Sequence, residues 1–71
     1  MRVVGVIESF DDRRGDGVLL SDDGERLYFH CVEIANGARH IEVGVRAYGE
    51  RHVGHVGRDE VVAVHQIDVA K

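Results

Sequence analysis

The sequence predicts an all-β fold, a small five-stranded antiparallel Greek-key barrel. Short runs rich in β-branched and aromatic residues recur along the chain, separated by glycine, aspartate and asparagine turns. No segment has the sustained apolar periodicity of a long helix. A longer connection separates the third run from the fourth, which fits the strand order of a Greek-key barrel. On this pattern alone, an SH3-like barrel is the main alternative.

Length and composition bound the class of protein. The 71 residues are enough for one domain, 1–71, with a modest core. Since the chain has no long apolar run and no N-terminal signal pattern, we expect a cytoplasmic protein without membrane association. The single cysteine excludes an internal disulfide and fits a reducing compartment.

The clearest structural signal is a hairpin in the first half of the chain. Two short apolar runs, at 17–20 and 27–29, flank the turn sequence Ser-Asp-Asp-Gly at 21–24. The predicted strands of the hairpin are 16–20 and 26–31. Alternation places Leu27 and Phe29 on the core face of the second run, and Tyr28 and His30 on the opposite face.

The remaining elements follow from the same signals. Asn36-Gly37 is a strong turn signal, and the last strand is expected to point Val62 and Val64 inward. The predicted segments are a first strand at 2–10, a helical turn at 32–35, a connection at 38–42, a fourth strand at 45–53, a loop at 54–59 and a last strand at 60–69.

Several motifs occur in an order that resembles the bacterial cold-shock proteins. They are G-V-I-x-x-F from Gly5, R-G-x-G from Arg14, D-D-G from Asp22, L-Y-F-H from Leu27 and N-G-(x4)-E-x-G from Asn36. The resemblance extends from residue 5 to 44, and more loosely to 67. It implies a barrel of the OB type, with the two RNA-binding motifs of that family at 14–19 and 27–31.

The resemblance also implies where bases would stack. Cold-shock proteins present aromatic rings on their first three strands, and stacking contributes about 1–3 kcal/mol per base. The corresponding positions keep a ring at Phe10, Tyr28 and His30 and have lost one at Ser9, Asp16, Val18, Cys31 and Ala38. Phe10 is as well suited to core packing as to stacking. Glu8 stands where the family usually has a lysine, so we expect weakened binding.

Arginines supply the remaining positive charge. The predicted phosphate contacts are Arg13, Arg14, Arg26 and Arg39, with Arg58 as a further candidate. In the alternative interpretation, these arginines pair with Asp11, Asp12, Asp22 and Glu25 on a solvated surface. The net charge of −4 makes a local basic and aromatic face a requirement for any nucleic-acid binding.

Two functions from different classes follow. The first is weak binding of single-stranded RNA or DNA with low sequence specificity. The second is a barrel that has lost this binding and recognises a basic protein partner or forms a homodimer. Its contact surface would be an acidic patch of Glu8, Asp11, Asp12 and Asp16, with Val18 as an apolar contact.

Enzymatic chemistry is not expected. Neighbouring residues on a strand point to opposite faces, so His30 and Cys31 are poorly placed as a base and a nucleophile. A zinc site formed by His52 and His55 with His40 or His65 lacks a second pair of ligands at suitable spacing. The sequence therefore predicts neither a cofactor nor a metal.

Overall fold

The computed structural model describes residues 1–54 and 58–67, and these residues form a five-stranded closed barrel. The strands are β1 (Arg2–Asp11), β2 (Asp16–Ser21), β3 (Arg26–His30), β4 (Arg46–Val53) and β5 (Asp59–Gln66). One 3₁₀ turn, Cys31–Glu33, follows β3. The all-β prediction is confirmed. Positions 68–69 of the predicted last strand, and 55–57 of the predicted loop, lie outside the described residues.

The barrel is a mixed sheet. Its strand order is β1-β2-β3-β5-β4, with β4 closing on β1. Four neighbouring pairs are antiparallel, whereas β3 and β5 are parallel and pair at Tyr28 and Glu60. A wholly antiparallel ring is impossible with an odd number of strands, because strand direction cannot alternate all the way around. The prediction of an antiparallel sheet therefore holds for every pair except the one that joins β3 to β5.

Alternating side chains fill the barrel. On β3, Leu27 and Phe29 are buried while Tyr28 and His30 are exposed, as the hairpin pattern predicts. Ile41 anchors the long connection before β4 in the same core. The buried apolar side chains are Val3, Ile7, Leu19, Leu27, Phe29, Ile34, Ile41, Ala47, Val61 and Val64.

The last strand changes its inward face partway along. Val61 and Val64 are both fully buried, whereas Val62, expected to point inward, is only half-buried. Between them Ala63 has a φ of 52°, and the pairing of β4 with β5 shifts register at this point. Such a bulge inserts an extra residue and reverses the alternation. Strict period-two alternation therefore gave the wrong inward residue at Val62.

A three-layer stack lies on the outer wall formed by β1, β4 and β5. The rings of Tyr48 and His65 are stacked, with centroids 4.9 Å apart and planes at 10°. The guanidinium carbon of Arg2 lies 4.7 Å from the centroid of Tyr48. These cross-strand contacts join three strands through side chains.

No helix in the described part of the chain has the length and apolar character needed to cross a bilayer.

Gly17 allows close approach between strands β1 and β2. A Cβ atom at this position would meet the backbone oxygen of Ser9 and would lie 2.9 Å from ring atoms of both Phe10 and Phe29. Backbone and two ring edges therefore occupy the space that any side chain would need.

We predict that Gly17→Ala lowers the free energy of unfolding by about 1–3 kcal/mol, because the methyl group overpacks this contact. Urea denaturation measures the change, and ring-proton NMR shifts should report displacement of Phe10. Gly24→Ala is the comparison, since Gly24 has a φ of 89° but no atom within 4 Å of the added Cβ. It should cost about 1 kcal/mol through backbone strain alone and leave the Phe10 resonances in place. Unchanged Phe10 shifts in Gly17→Ala would contradict the steric explanation.

Candidate functional site

A groove of about 590 Å³ lies on the surface of the described barrel. Its walls come from the end of β1, the start of β2, the end of β3 and the start of β5. The lining residues are Ser9, Phe10, Asp11, Arg14, Asp16, Gly17, Val18, Tyr28, Phe29, His30, Glu33, Arg58, Glu60, Val61 and Val62.

The groove brings together four of the seven residues predicted to bind nucleic acid: Phe10, Arg14, Tyr28 and His30. Arg58, the further candidate, also lines it. The other three predicted residues lie elsewhere: Arg13 in the turn after β1, Arg26 at the start of β3, and Arg39 in the connection before β4, with a φ of 58°. The lining therefore combines aromatic rings with part of the predicted positive charge.

Tyr28 presents an exposed aromatic ring to the groove. Its side chain points out of the barrel from the middle of β3, and the residue is 40% exposed. The guanidinium carbon of Arg58 lies 4.4 Å from the centroid of the ring, which is a cation–π geometry. Tyr28 and Arg58 therefore form a planar, amphipathic pair on which a second flat group could stack.

Phe10 lies between the core and the groove. Its ring lines the groove and is also stacked on the core residue Phe29, with centroids 5.9 Å apart and planes at 18°. His40 packs against Phe10 in a T-shaped arrangement, with centroids 5.6 Å apart. One face of the Phe10 ring therefore packs against the core, and another part of the ring lines the groove.

His30 is oriented by the 3₁₀ turn that follows it. Its Nδ1 atom accepts a hydrogen bond of 3.3 Å from the backbone N–H of Val32 and so caps the turn. In the neutral ring this bond assigns the remaining proton to Nε2. His30 therefore presents an ordered ring to the groove.

Cys31 lies closer to His30 than strand alternation predicts. Its Sγ atom is 3.8 Å from Nδ1, because Cys31 begins the 3₁₀ turn instead of continuing β3. The expectation that the two side chains diverge was wrong. The Nδ1 atom is already hydrogen-bonded to Val32, so the contact gives no free base beside the thiol.

Carboxylates outnumber arginines in the groove. Its lining contains Arg14 and Arg58 together with Asp11, Asp16, Glu33 and Glu60. Arg14 pairs with Asp16 at 3.0 Å. The Oδ1 atom of Asp11 accepts hydrogen bonds from the backbone N–H groups of Arg13 and Arg14, which orders the turn. The local charge therefore opposes the approach of phosphate.

Arg26 is engaged on the hairpin surface outside the groove. It makes a bidentate pair with Glu8, at 2.8 and 3.1 Å, and this hydrogen bonding raises the pKa of Arg26. The alternative interpretation of paired surface arginines thus applies to Arg26, although with a partner that it did not name.

Two arginines of β4 have acidic partners as well. Arg46 pairs with Asp22 at 2.8 Å, and the hydrogen bond from Arg46 lowers the pKa of that carboxyl. Arg51 contacts Asp59 at 2.8 Å and also Glu25. Surface ion pairs usually contribute little to stability, and these pairs also neutralise positive charge on β4.

The described residues contain no metal site, and no family match adds to this picture. Within residues 1–54 and 58–67, no group of three or more His, Cys, Asp or Glu side chains has an arrangement that could hold a metal ion. His55, which the sequence offered with His52 as a possible zinc ligand, lies outside the described residues. No protein-family model and no curated protein matches this chain.

Reasoning from the sequence missed the wall that β5 and the 3₁₀ turn contribute. Glu60 and Val62 line the groove because β5 lies parallel to β3, and Glu33 lines it from the 3₁₀ turn that follows β3. No local signal identifies them, since the sequence separation between Tyr28 and Glu60 hides their pairing.

We predict an energetic coupling between Tyr28 and Arg58. Tyr28→Ala, Arg58→Ala and the double variant form a cycle whose coupling free energy should be about 0.5–1 kcal/mol in urea unfolding, the size of an exposed cation–π contact. Arg58→Lys should retain part of it. The same cycle on Arg2 and Tyr48, where the distance is 4.7 Å, serves as the comparison. A coupling of zero for Tyr28 and Arg58 would show that the contact is not maintained in solution.

Proposed function

We propose that this chain is a cold-shock-type protein, a Greek-key barrel of the OB class, that binds single-stranded RNA or DNA weakly and with low sequence specificity. The observation that carries the proposal is the convergence of Phe10, Tyr28, His30 and Arg14 in one groove. Their rings come from two strands that are not neighbours in the sheet, so a bound strand would cross β2 between them. The single free cysteine makes the cytoplasm the compartment that we propose.

Stacking is the interaction that this groove supports best. Each base that stacks on an exposed ring contributes about 1–3 kcal/mol, and the contribution tolerates any base because every base has a flat π-face. The lining offers rings on β1 and β3, with half-buried Val18 on β2 between them. This lining favours a ligand that contacts the groove through only a few nucleotides and with low sequence selectivity.

The groove charge explains why the proposed binding is weak. Phosphate contacts normally supply much of the affinity for nucleic acid, and their contribution decreases as salt increases. Here Arg14 must leave or share Asp16 before it can contact a phosphate, and three further carboxylates line the same groove. Stacking would therefore carry more of the binding free energy than charge does.

A second candidate function is supported by the same carboxylates. The groove lining holds twice as many acidic as basic side chains, which suits a basic segment of a partner protein or of a second copy of this chain. Of the predicted acidic patch, Asp11 and Asp16 lie in the groove, whereas Glu8 pairs with Arg26 and Asp12 contacts His40. The patch is thus divided between different partners.

We predict that Tyr28→Ala weakens binding of a pyrimidine hexamer about 5- to 100-fold, through loss of one stacking contact. Fluorescence anisotropy with a labelled hexamer measures the dissociation constant. Tyr48→Ala is the matched control, because it removes the same ring from the outer wall of β1, β4 and β5. Circular dichroism must show both variants folded at the assay temperature. Equal effects of the two substitutions would contradict the assignment of the groove as the binding face.

We predict that Asp16→Lys strengthens hexamer binding and steepens its dependence on salt. The substitution removes a carboxylate from the groove, releases Arg14 and adds a positive charge, which together should increase affinity about tenfold or more at low salt. Asp23→Lys, in the exposed β2–β3 turn, makes the same change in net charge away from the groove and is the control.

The same pair of variants distinguishes the second function. If the groove binds a basic protein segment, Asp16→Lys should abolish binding of a lysine-rich peptide, whereas Asp23→Lys should preserve it. A chain that binds the peptide, and whose Asp16→Lys variant still does not bind the hexamer, would decide for the protein-interaction module.

A further inference from the structure

His40 bridges two carboxylates that come from different segments. It lies in the 36–45 connection, the residues between the 3₁₀ turn and β4. Its Nδ1 atom is 2.6 Å from Oδ1 of Asp12, and its Nε2 atom is 2.7 Å from Oε2 of Glu42. A histidine donates from both ring nitrogens only as the imidazolium cation, and a carboxylate only accepts. The geometry is therefore that of a protonated ring.

The two partners also stabilise the proton on His40. Hydrogen bonding to Glu42, and then to Asp12, raises the pKa of His40 above its ordinary value. The ring is about half exposed, so solvent and salt moderate this effect. Partly exposed ion pairs are often incidental, and a functional role for His40 needs a further contact.

That contact is with Phe10. The rings of His40 and Phe10 are perpendicular, at 88°, with centroids 5.6 Å apart. Phe29 stacks on Phe10 from the core. Phe10 therefore lies between one ring fixed by the core and one ring fixed by two carboxylates. His40 itself is not part of the groove lining, so it acts on the groove through Phe10.

We propose that His40 is a positioning residue of the groove, which holds Phe10 in its binding orientation when His40 is protonated and releases it when His40 is neutral. The inference rests on the proposed function, because it assigns the regulation of the same groove. We call the contacts of His40 with Asp12, Glu42 and Phe10 the clamp. Asp12 belongs to the turn between β1 and β2, and Glu42 belongs to the 36–45 connection. The proton thus links the two segments on either side of Phe10.

The direction of the pH effect follows from the charges. A group with a raised pKa in the folded protein contributes its full stabilisation below its unfolded pKa, about 6.5 for histidine. The contribution is lost as pH rises through the raised value. Loss of the proton also leaves Asp12 and Glu42 facing a neutral ring, so negative charge increases beside the groove. Both effects weaken binding of a phosphate-containing strand at higher pH.

Other charged groups must be separated from this effect. Asp12 and Glu42 are the charged side chains in contact with the His40 ring; Arg39 adjoins it in sequence, and Arg13 adjoins Asp12. His30 is a second imidazole, and it lines the groove itself. The test therefore compares variants of His40 with the wild-type chain, because His30 is present in both and its contribution is the same.

The first measurement is an NMR titration of the ligand-free chain from about pH 5 to about pH 9. The ring-proton shifts of Phe10 should follow the same curve as the imidazole protons of His40, and this transition should disappear in His40→Gln. If the Phe10 shifts are independent of the His40 titration, the clamp is refuted, whatever the chain binds.

The second measurement is the affinity for a pyrimidine hexamer near pH 6 and near pH 9 at constant ionic strength. Wild-type affinity should fall about five- to tenfold over this interval, the size of a partly lost stacking contact. His40→Gln should bind weakly at both pH values, with a much smaller change between them. His65→Gln, which alters a histidine on the outer wall, should behave like the wild-type chain.

The outcomes separate the inference from the proposed function. Wild-type binding with the same pH dependence in His40→Gln refutes the positioning role and leaves the proposed function standing. Absence of hexamer binding by the wild-type chain at both pH values refutes the proposed function instead. In that case the coupled NMR titration of Phe10 and His40 still decides whether the clamp exists.

Discussion

Closure of the barrel through the parallel contact of β3 with β5 is the constraint on which the rest of the molecule depends. Five strands cannot alternate in direction around a closed ring, so one neighbouring pair must be parallel, and here it meets at Tyr28 and Glu60. This contact places the start of β5 beside the exposed face of β3. Without it, Tyr28 would stand on an open sheet face. With it, Arg58 covers the ring and the groove acquires an acidic wall.

The resulting surface combines two interactions that act over different distances. Stacking on Tyr28 or Phe10 requires direct contact and is nearly independent of salt, whereas the repulsion between groove carboxylates and phosphate extends over about 10 Å and is screened. Each arginine of the groove is also engaged within the barrel: Arg14 with Asp16, and Arg58 with Tyr28. A ligand of this groove therefore exchanges existing contacts for new ones, which limits the free energy that binding can gain.

The parts of the site that could be predicted are those encoded by neighbouring residues. Alternation along β3 correctly separated Leu27 and Phe29 from Tyr28 and His30, because a strand turns successive side chains to opposite faces. Assigning Arg26 to phosphate relied on its residue type alone. Its partner Glu8 is 18 residues away, on a strand that does not even pair with β3. The same limitation concealed His40, whose contacts with Asp12 and Phe10 exist only after the 36–45 connection folds over the end of β1.

The sequence by itself determined the strand-forming segments, the turn at 21–24, and the inward residues of β3, because these depend on interactions within a few positions along the chain. The tertiary structure decided the parallel closure of the barrel, the reversal of facing at Ala63 and the pairing of each charge. These features depend on which distant segments become neighbours. A bulge of one residue is enough to exchange the inward and outward faces of a strand, and residue type alone does not place it. The sequence thus specified the exposed rings, and the fold specified what surrounds them.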